Sequence, residues 1–158
     1  MSSIIYREIQ PAEITAVSAL ARESFDRCVA MHYQTEGVEE FHRYASVEAL
    51  SQRHNSGHIT LVAEDAGELV GMLHLRELCH ISMLFVRPSR QRGGIGRGLL
   101  TAAGTLAGRT DCEFTVNSSP NSVSAYERLG FRITGSEQCV HGIRFVPMQR
   151  LPHNDRKA

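Results

Sequence analysis

The chain has 158 residues, 42% hydrophobic and 22% charged, with 17 basic and 17 acidic side chains that cancel at neutral pH. It is long enough for one domain that buries about two-thirds of its unfolded surface. Balanced charge excludes a nucleic-acid binder that works through bulk positive potential, no run approaches the roughly 18 apolar residues of a membrane span, and the start lacks the charged and apolar regions of a signal peptide.

Residues 4–9 alternate as a first strand, with Ile5, Arg7 and Ile9 opposite Tyr6 and Glu8. Pro11 suits the first turn of a helix, and Ile14, Val17, Leu20, Ala21 and Phe25 continue it as an apolar stripe. Residues 28–36 show no clear period. Residues 38–50, with Phe41, Ala45 and Leu50, predict one further helix that ends before Asn55-Ser56-Gly57. A strand is expected at 58–64, a hairpin turn at Asp65-Ala66-Gly67, its partner at 68–75 and another strand at 79–86. A helix over 94–108, a strand over 112–117 and a short helix over 121–129 follow. Ser119 and Asn121 are alternative caps for the short helix, and Gly130 closes it. The last strands are expected at 131–135 and 142–148. Residues 1–150 read as one domain, and 151–158 as a polar, frayed tail.

Cys28, Cys79, Cys112 and Cys139 stand far apart without a C-x-x-C pair, and H-E-x-x-H is absent, so no metal site is expected. The expected setting is a reduced cytoplasm, with no membrane and no nucleic-acid partner.

The segment after the strand at 79–86 carries most information. It holds Gly93, Gly94, Gly96 and Gly98, and four arginines (Arg87, Arg90, Arg92, Arg97) within eleven residues free of carboxylates. Strand, glycine loop and helix start together offer free backbone N–H groups to an anion. Glycine removes the Cβ atoms that would hold a ligand away from that backbone. With no net charge overall, this local basic cluster points to a phosphate group.

Spacing decides among glycine loops. A P-loop is ruled out because no Gly-Lys pair exists. A dinucleotide loop would need a third glycine where Leu99 stands. What remains is Q-x-x-G-x-G at Gln91, Gly94 and Gly96, preceded by V-x-P at Val86 and Pro88. This resembles the acetyl-CoA-binding segment of the GNAT superfamily of N-acetyltransferases. The run from Ser119 to Phe131, with Tyr126 followed by a Gly130-Phe131 step, resembles that family's later motif, in the same order and at matching spacing.

The resemblance implies an α/β (α+β) GNAT-like fold: a mixed, mostly antiparallel sheet of six to seven strands flanked by about four helices. It implies acetyl-CoA as cosubstrate. Gln91, Arg92, Gly93, Gly94, Ile95, Gly96 and Arg97 would hold its pyrophosphate. Backbone at Leu84, Phe85 and Val86 would meet the pantetheine arm where two strands splay apart. Many relatives have asparagine seven residues before the tyrosine, where this chain has Ser119, so Asn117 is the alternative contact to the pantetheine amides.

Transfer of acetyl from a thioester to an amine needs an anchored cofactor, a deprotonated amine, a donor for the oxyanion and support for the leaving thiolate. An alkylamine of pKa ~10.4 is neutral to about one part in 2,500 at pH 7, a cost of roughly 4–5 kcal/mol. His80 is the candidate base. It lies eleven residues before Gln91, the offset at which some GNAT enzymes carry a glutamate, and histidine titrates near neutrality. Ser82 would order a water, and His74 is a weaker alternative. Tyr126 is the candidate acid at the thioester sulfur. The oxyanion donor is expected near Leu84 or Phe85. The acceptor site is expected near His32, Tyr33, Glu36, Glu39 and Glu40 and the late hairpin around Cys139-Val140-His141. The expected reaction is acetyl transfer to a primary amine, with a small molecule as acceptor and the last strands as a site for a homodimer. Two rival readings keep the fold: a transferase for a longer acyl-CoA, and a non-catalytic acyl-CoA-binding or regulatory module.

Overall fold

Two hydrophobic clusters, one on each face of a twisted sheet, organise the chain in the computed structural model, which describes residues 3–77, 79–106 and 113–150. The strands are β1 (Ile5–Glu8), β2 (Ile59–Asp65), β3 (Glu68–Arg76), β4 (His80–Val86), β5 (Phe114–Ser118), β6 (Arg132–Ile133), β7 (Gln138–Val140) and β8 (Ile143–Arg150). The helices are α1 (Ile14–Cys28), α2 (Thr35–Tyr44), α3 (Val47–Asn55), α4 (Ile95–Leu106) and α5 (Val123–Arg128). The expected helix end at 107–108, the strand start at 112 and the tail at 151–158 lie outside the described residues.

The sheet runs β1-β2-β3-β4-β5-β8-β6, with β7 paired to β8 off that path. Every pairing is antiparallel except β4 with β5. One face buries Leu73, Ile81, Leu99, Leu100, Phe114 and Phe131 with α4. The other buries Val17, Leu20, Val62, Met72 and Met83 with α1 and the start of α3. The two-residue turns Ala66-Gly67 and His141-Gly142 have positive φ at both positions (51° and 83°, 52° and 79°), as tight hairpins require.

One sequence expectation is corrected. The single helix over 38–50 is two helices. Ser46 breaks them, because its Oγ accepts the Ala49 N–H at 3.2 Å and caps α3. The sheet path holds seven strands, within the expected number, and the short β7 adds an eighth beside it by pairing Gln138 with Phe145 and Val140 with Ile143. Among the described residues, no helix is long and apolar enough to cross a membrane.

Candidate active site

The parallel contact between β4 and β5 is brief. His80 pairs with Thr115 and Ile81 with Val116, and pairing stops there while β4 continues to Val86 and β5 to Ser118. The strands part, and each keeps only its outer neighbour. A bulge at Ser82 accompanies the parting: Leu75 pairs with Ile81, but His74 pairs with Met83. Ile81 therefore packs with the α4-side cluster, and Met83 with the α1-side cluster.

Backbone groups are left free along this gap. The Val86 carbonyl faces away from β3 and accepts Gln91 Nε2 at 3.2 Å, while the next N–H, of Arg87, turns to Val70 O at 2.9 Å. Strand alternation turns the Leu84 backbone toward the gap as well and commits Phe85 to β3.

Beyond Val86 the loop turns on Arg92 and Gly94, with φ of 68° and 83°. A Cβ at Gly94 would meet nothing within 4 Å, and one at Gly93 only the Arg90 carbonyl at 3.6 Å, so open space borders this backbone. Gly98 has a different role from the one expected. A Cβ there would lie 2.1 Å from Tyr6 Cζ, so it admits the tyrosine ring of β1, not a ligand. The arginines also divide. Arg87 lies 3.7 Å from both Glu23 and Glu68, and Arg90 lies 2.6 Å from Asp65. Arg92 and Arg97 have no ion pair among the described residues, and Arg97 donates to the Arg128 carbonyl at 3.0 Å.

His80 sits at the closed end of the gap, half-buried, with Nδ1 2.8 Å from Thr115 Oγ1. Burial, aided by nearby Arg76, pushes its pKa below the usual histidine value. His74 is a different case. It is fully buried, lies 2.8 Å from Thr60 Oγ1, and is driven down to about 3 by desolvation. It is held neutral in the core and reaches no cleft. Ser82 Oγ is engaged with the His74 carbonyl at 3.4 Å.

Tyr126 sits on α5 and packs edge-on against Phe131, ring centres 5.3 Å apart, on the α4-side cluster. Burial raises its phenol above the ordinary tyrosine value. His80 and Thr115 occupy the opposite face, since their neighbours Ile81, Phe114 and Val116 belong to the α4 side. The two candidate groups thus flank the gap from opposite faces. Asn117 is exposed, where β4 no longer covers β5. Ser119 Oγ meets Ser122 Oγ at 2.8 Å, and neither Ser119 nor Asn121 forms the expected side-chain cap. Asn121 instead donates to the Cys28 carbonyl at 2.8 Å.

The expected acceptor wall is a built assembly. Tyr33 Oη donates to the Arg144 carbonyl at 2.6 Å, and burial pushes its pKa up to about 12. The backbone of Gly37 lies against the hairpin turn, where a Cβ would come within 2.2 Å of Gly142 O. Glu40 bonds Arg43 at 2.6 Å, while Glu36, Glu39 and His32 are exposed.

A family model described as an acetyltransferase (GNAT) domain matches residues 29–152. The chain belongs to the GNAT acetyltransferase family. No curated protein matches it in sequence. Among solved structures, it is similar to PaiA N-acetyltransferase from Thermoplasma acidophilum, solved in complex with coenzyme A. Identity is 25%, TM-score 0.76, and 94% of this chain and 99% of that one are covered. A GCN5-related N-acetyltransferase from Rhodopseudomonas palustris shares the fold at 24% identity and TM-score 0.77, covering 96% and 97%. So does YncA of Salmonella typhimurium, solved with acetyl-CoA, at 18% identity and TM-score 0.64, covering 97% and 96%.

This GNAT acetyltransferase has contributors that sequence reading missed. Thr115 gave no signal, because its role depends on which strand lies beside β5. Gly37 gave one: a glycine inside a helix costs about 1 kcal/mol relative to alanine and hints at a close approach. Cys28 gains meaning only when the end of α1 meets Gln91, 3.6 Å from its Sγ, and Asn121.

Proposed function

We propose that this acetyltransferase moves the acetyl group of acetyl-CoA to a primary amine of a small molecule, by direct attack within a ternary complex. One observation carries the reading: the edge of β4 that β5 leaves uncovered leads straight into a glycine loop bordered by open space and by two arginines, Arg92 and Arg97, without carboxylate partners among the described residues. A pyrophosphate fits that chemistry, since backbone N–H groups at a helix start and guanidinium groups both favour an anion.

In this reading the loop from Gln91 to Arg97 binds the pyrophosphate, and the edge at Leu84 and Val86 pairs with the amides of the pantetheine arm. Gln91 releases the Val86 carbonyl as that arm is seated. The acetyl thioester supplies the electrophile. His80, neutral at pH 7 because burial lowers its pKa, accepts the proton of the attacking amine on the α1 side of the sheet. The Leu84 N–H is the oxyanion donor, since Phe85 is spent on β3. Tyr126 faces the leaving sulfur. A phenol of pKa ~10 protonating a thiolate of pKa ~8.5 is uphill by about 2 kcal/mol even unperturbed, and burial raises the phenol further. Tyr126 therefore acts by donating a hydrogen bond to the departing sulfur.

Thermal unfolding in the presence of acetyl-CoA, NAD or ATP tests the cofactor. Ligand at a hundred times its dissociation constant adds about 2.7 kcal/mol, on the order of 5–10 °C for this size. A rise with acetyl-CoA alone supports the reading, and a rise with NAD or ATP instead overturns it. A panel of spermidine, phenethylamine, lysine amide and a peptide N-terminus, read by release of free CoA thiol, then tests the acceptor. Tight binding with no turnover on any amine would favour the non-catalytic module.

A further inference from the structure

We infer that Asn121 is a positioning residue for Tyr126, acting through its hydrogen bond to the end of α1; the inference rests on the role proposed for Tyr126. The helix that carries Tyr126 is seated on the α4-side cluster by Val123, Tyr126 and Leu129, contacts without directional preference. It has six residues and no side-chain cap at Ser122, far below the length at which a helix is stable in isolation. The sheet fixes it poorly relative to β4, because β4 and β5 lose contact after Ile81 and Val116, before α5 begins. Any element that follows β5 is referenced to β8, not to the strand beside which the thioester is proposed to lie.

Asn121 supplies the missing link. Its Nδ2 donates to Cys28 O at 2.8 Å, across 93 positions of sequence. Cys28 ends α1, where carbonyls lack intrahelical partners. Its neighbour Val29 bonds back to Phe25, and the chain then tightens through a His32 to Val29 bond. Helix α1 packs on β3 and β4. The Asn121 bond therefore ties the α5 segment to the β4 side of the gap. Gln91 of the cofactor loop reaches the same residue, 3.6 Å from Cys28 Sγ. The far end of α5 is held by Arg97, from α4, on Arg128 O. Beside the apolar packing of Val123, Tyr126 and Leu129, these two hydrogen bonds hold the short helix, and the one at Asn121 comes from outside the proposed phosphate site.

The test compares Asn121→Asp, Asn121→Ala, Tyr126→Phe and the Tyr126→Phe/Asn121→Asp double variant, using acetyl-CoA and the best amine of the panel. Aspartate keeps the shape of asparagine but offers no donor to a carbonyl. Expected is a fall in kcat of about tenfold for either Asn121 variant, in line with the cost of misplacing a reacting group. KM for acetyl-CoA should stay within about twofold, and Tm should hardly move. The double variant should be no slower than Tyr126→Phe alone, because a residue that acts through another adds nothing once that residue is gone. A wild-type kcat in Asn121→Asp overturns the inference, as does a multiplicative loss in the double variant. An undiminished kcat in Tyr126→Phe instead overturns the role of Tyr126 itself, which separates the two failures.

Discussion

The Nδ1 atom of His80 lies 2.8 Å from Thr115 Oγ1, one residue before the last pair between β4 and β5. In the tautomer whose Nδ1–H donates to that hydroxyl, Nε2 carries the lone pair that accepts a proton. Because burial lowers the His80 pKa, the basic form prevails at neutral pH. The acidic limb of kcat/KM against pH should have its midpoint below 6.5. His80→Ala should remove that limb, and Thr115→Val should shift it. An identical limb in His80→Ala would assign it to another group.

Gly94 and Gly98 should respond in opposite ways. Gly94 has φ of 83° and no neighbour at its Cβ position, so Gly94→Ala strains the loop by roughly 1 kcal/mol, and Gly94→Asp adds a charge that repels phosphate. Acetyl-CoA affinity should fall at least tenfold in Gly94→Asp with little change in Tm without ligand. Gly98→Ala drives a methyl into the Tyr6 ring and should lower Tm without ligand by several degrees, as overpacking costs about 1–3 kcal/mol. Calorimetric titration and unfolding of both variants separate binding from folding.

Much of this was legible in the chain because loop chemistry is local. Val86, Pro88, Gln91, Gly94 and Gly96 are close in sequence, and their spacing alone excluded the competing glycine loops. The hairpin at Ala66-Gly67 was legible for the same reason. The break at Ser46 was missed because Phe41, Ala45 and Leu50 pass for one apolar stripe, although the five-residue step from Ala45 to Leu50 leaves a continuous helical face by about 140°. The purpose of Gly98 was hidden because Tyr6 is brought there by tertiary packing from β1. The use of Asn121 was hidden too, since a cap and a long-range tether need the same amide.

Stability should depend on His74. It is fully buried and its pKa is about 3, against 6.5 in the unfolded chain. Above pH 6.5 both states are neutral and the group has no pH effect. As pH falls below 6.5 the unfolded state takes up the proton first, so stability declines until about pH 3. The full loss is on the order of 4–5 kcal/mol. Arg53 and His58, which also face this ring, add to the cost of charging it. Chemical denaturation at pH 7 and pH 5 should show the decline, and His74→Gln should flatten it.

The acceptor wall expected from the sequence should fail as a unit. Gly37→Ala places a methyl against the Gly142 carbonyl, backbone that cannot swing aside as a side chain would. KM for the amine should rise several-fold while acetyl-CoA affinity holds, a split that steady-state kinetics with each substrate varied in turn would reveal. Equal losses for both substrates would place the contact outside acceptor recognition.

The backbone contact between Gly37 and Gly142 also limits how this enzyme can change its preferred amine. At Gly37 and Gly142, helix α2 and the β7–β8 hairpin meet backbone against backbone, which leaves little room to absorb a shift. An insertion in the hairpin must move the helix, and a tilt of the helix must move the hairpin. On the acceptor wall expected from the sequence, new acceptors would be reached by exchanging outward-facing side chains, such as Met31 at 72% exposure and Val140 at 50%, on a frame whose dimensions stay constant. A relative with a longer hairpin would need a compensating change in α2, so the two segments should vary together in length.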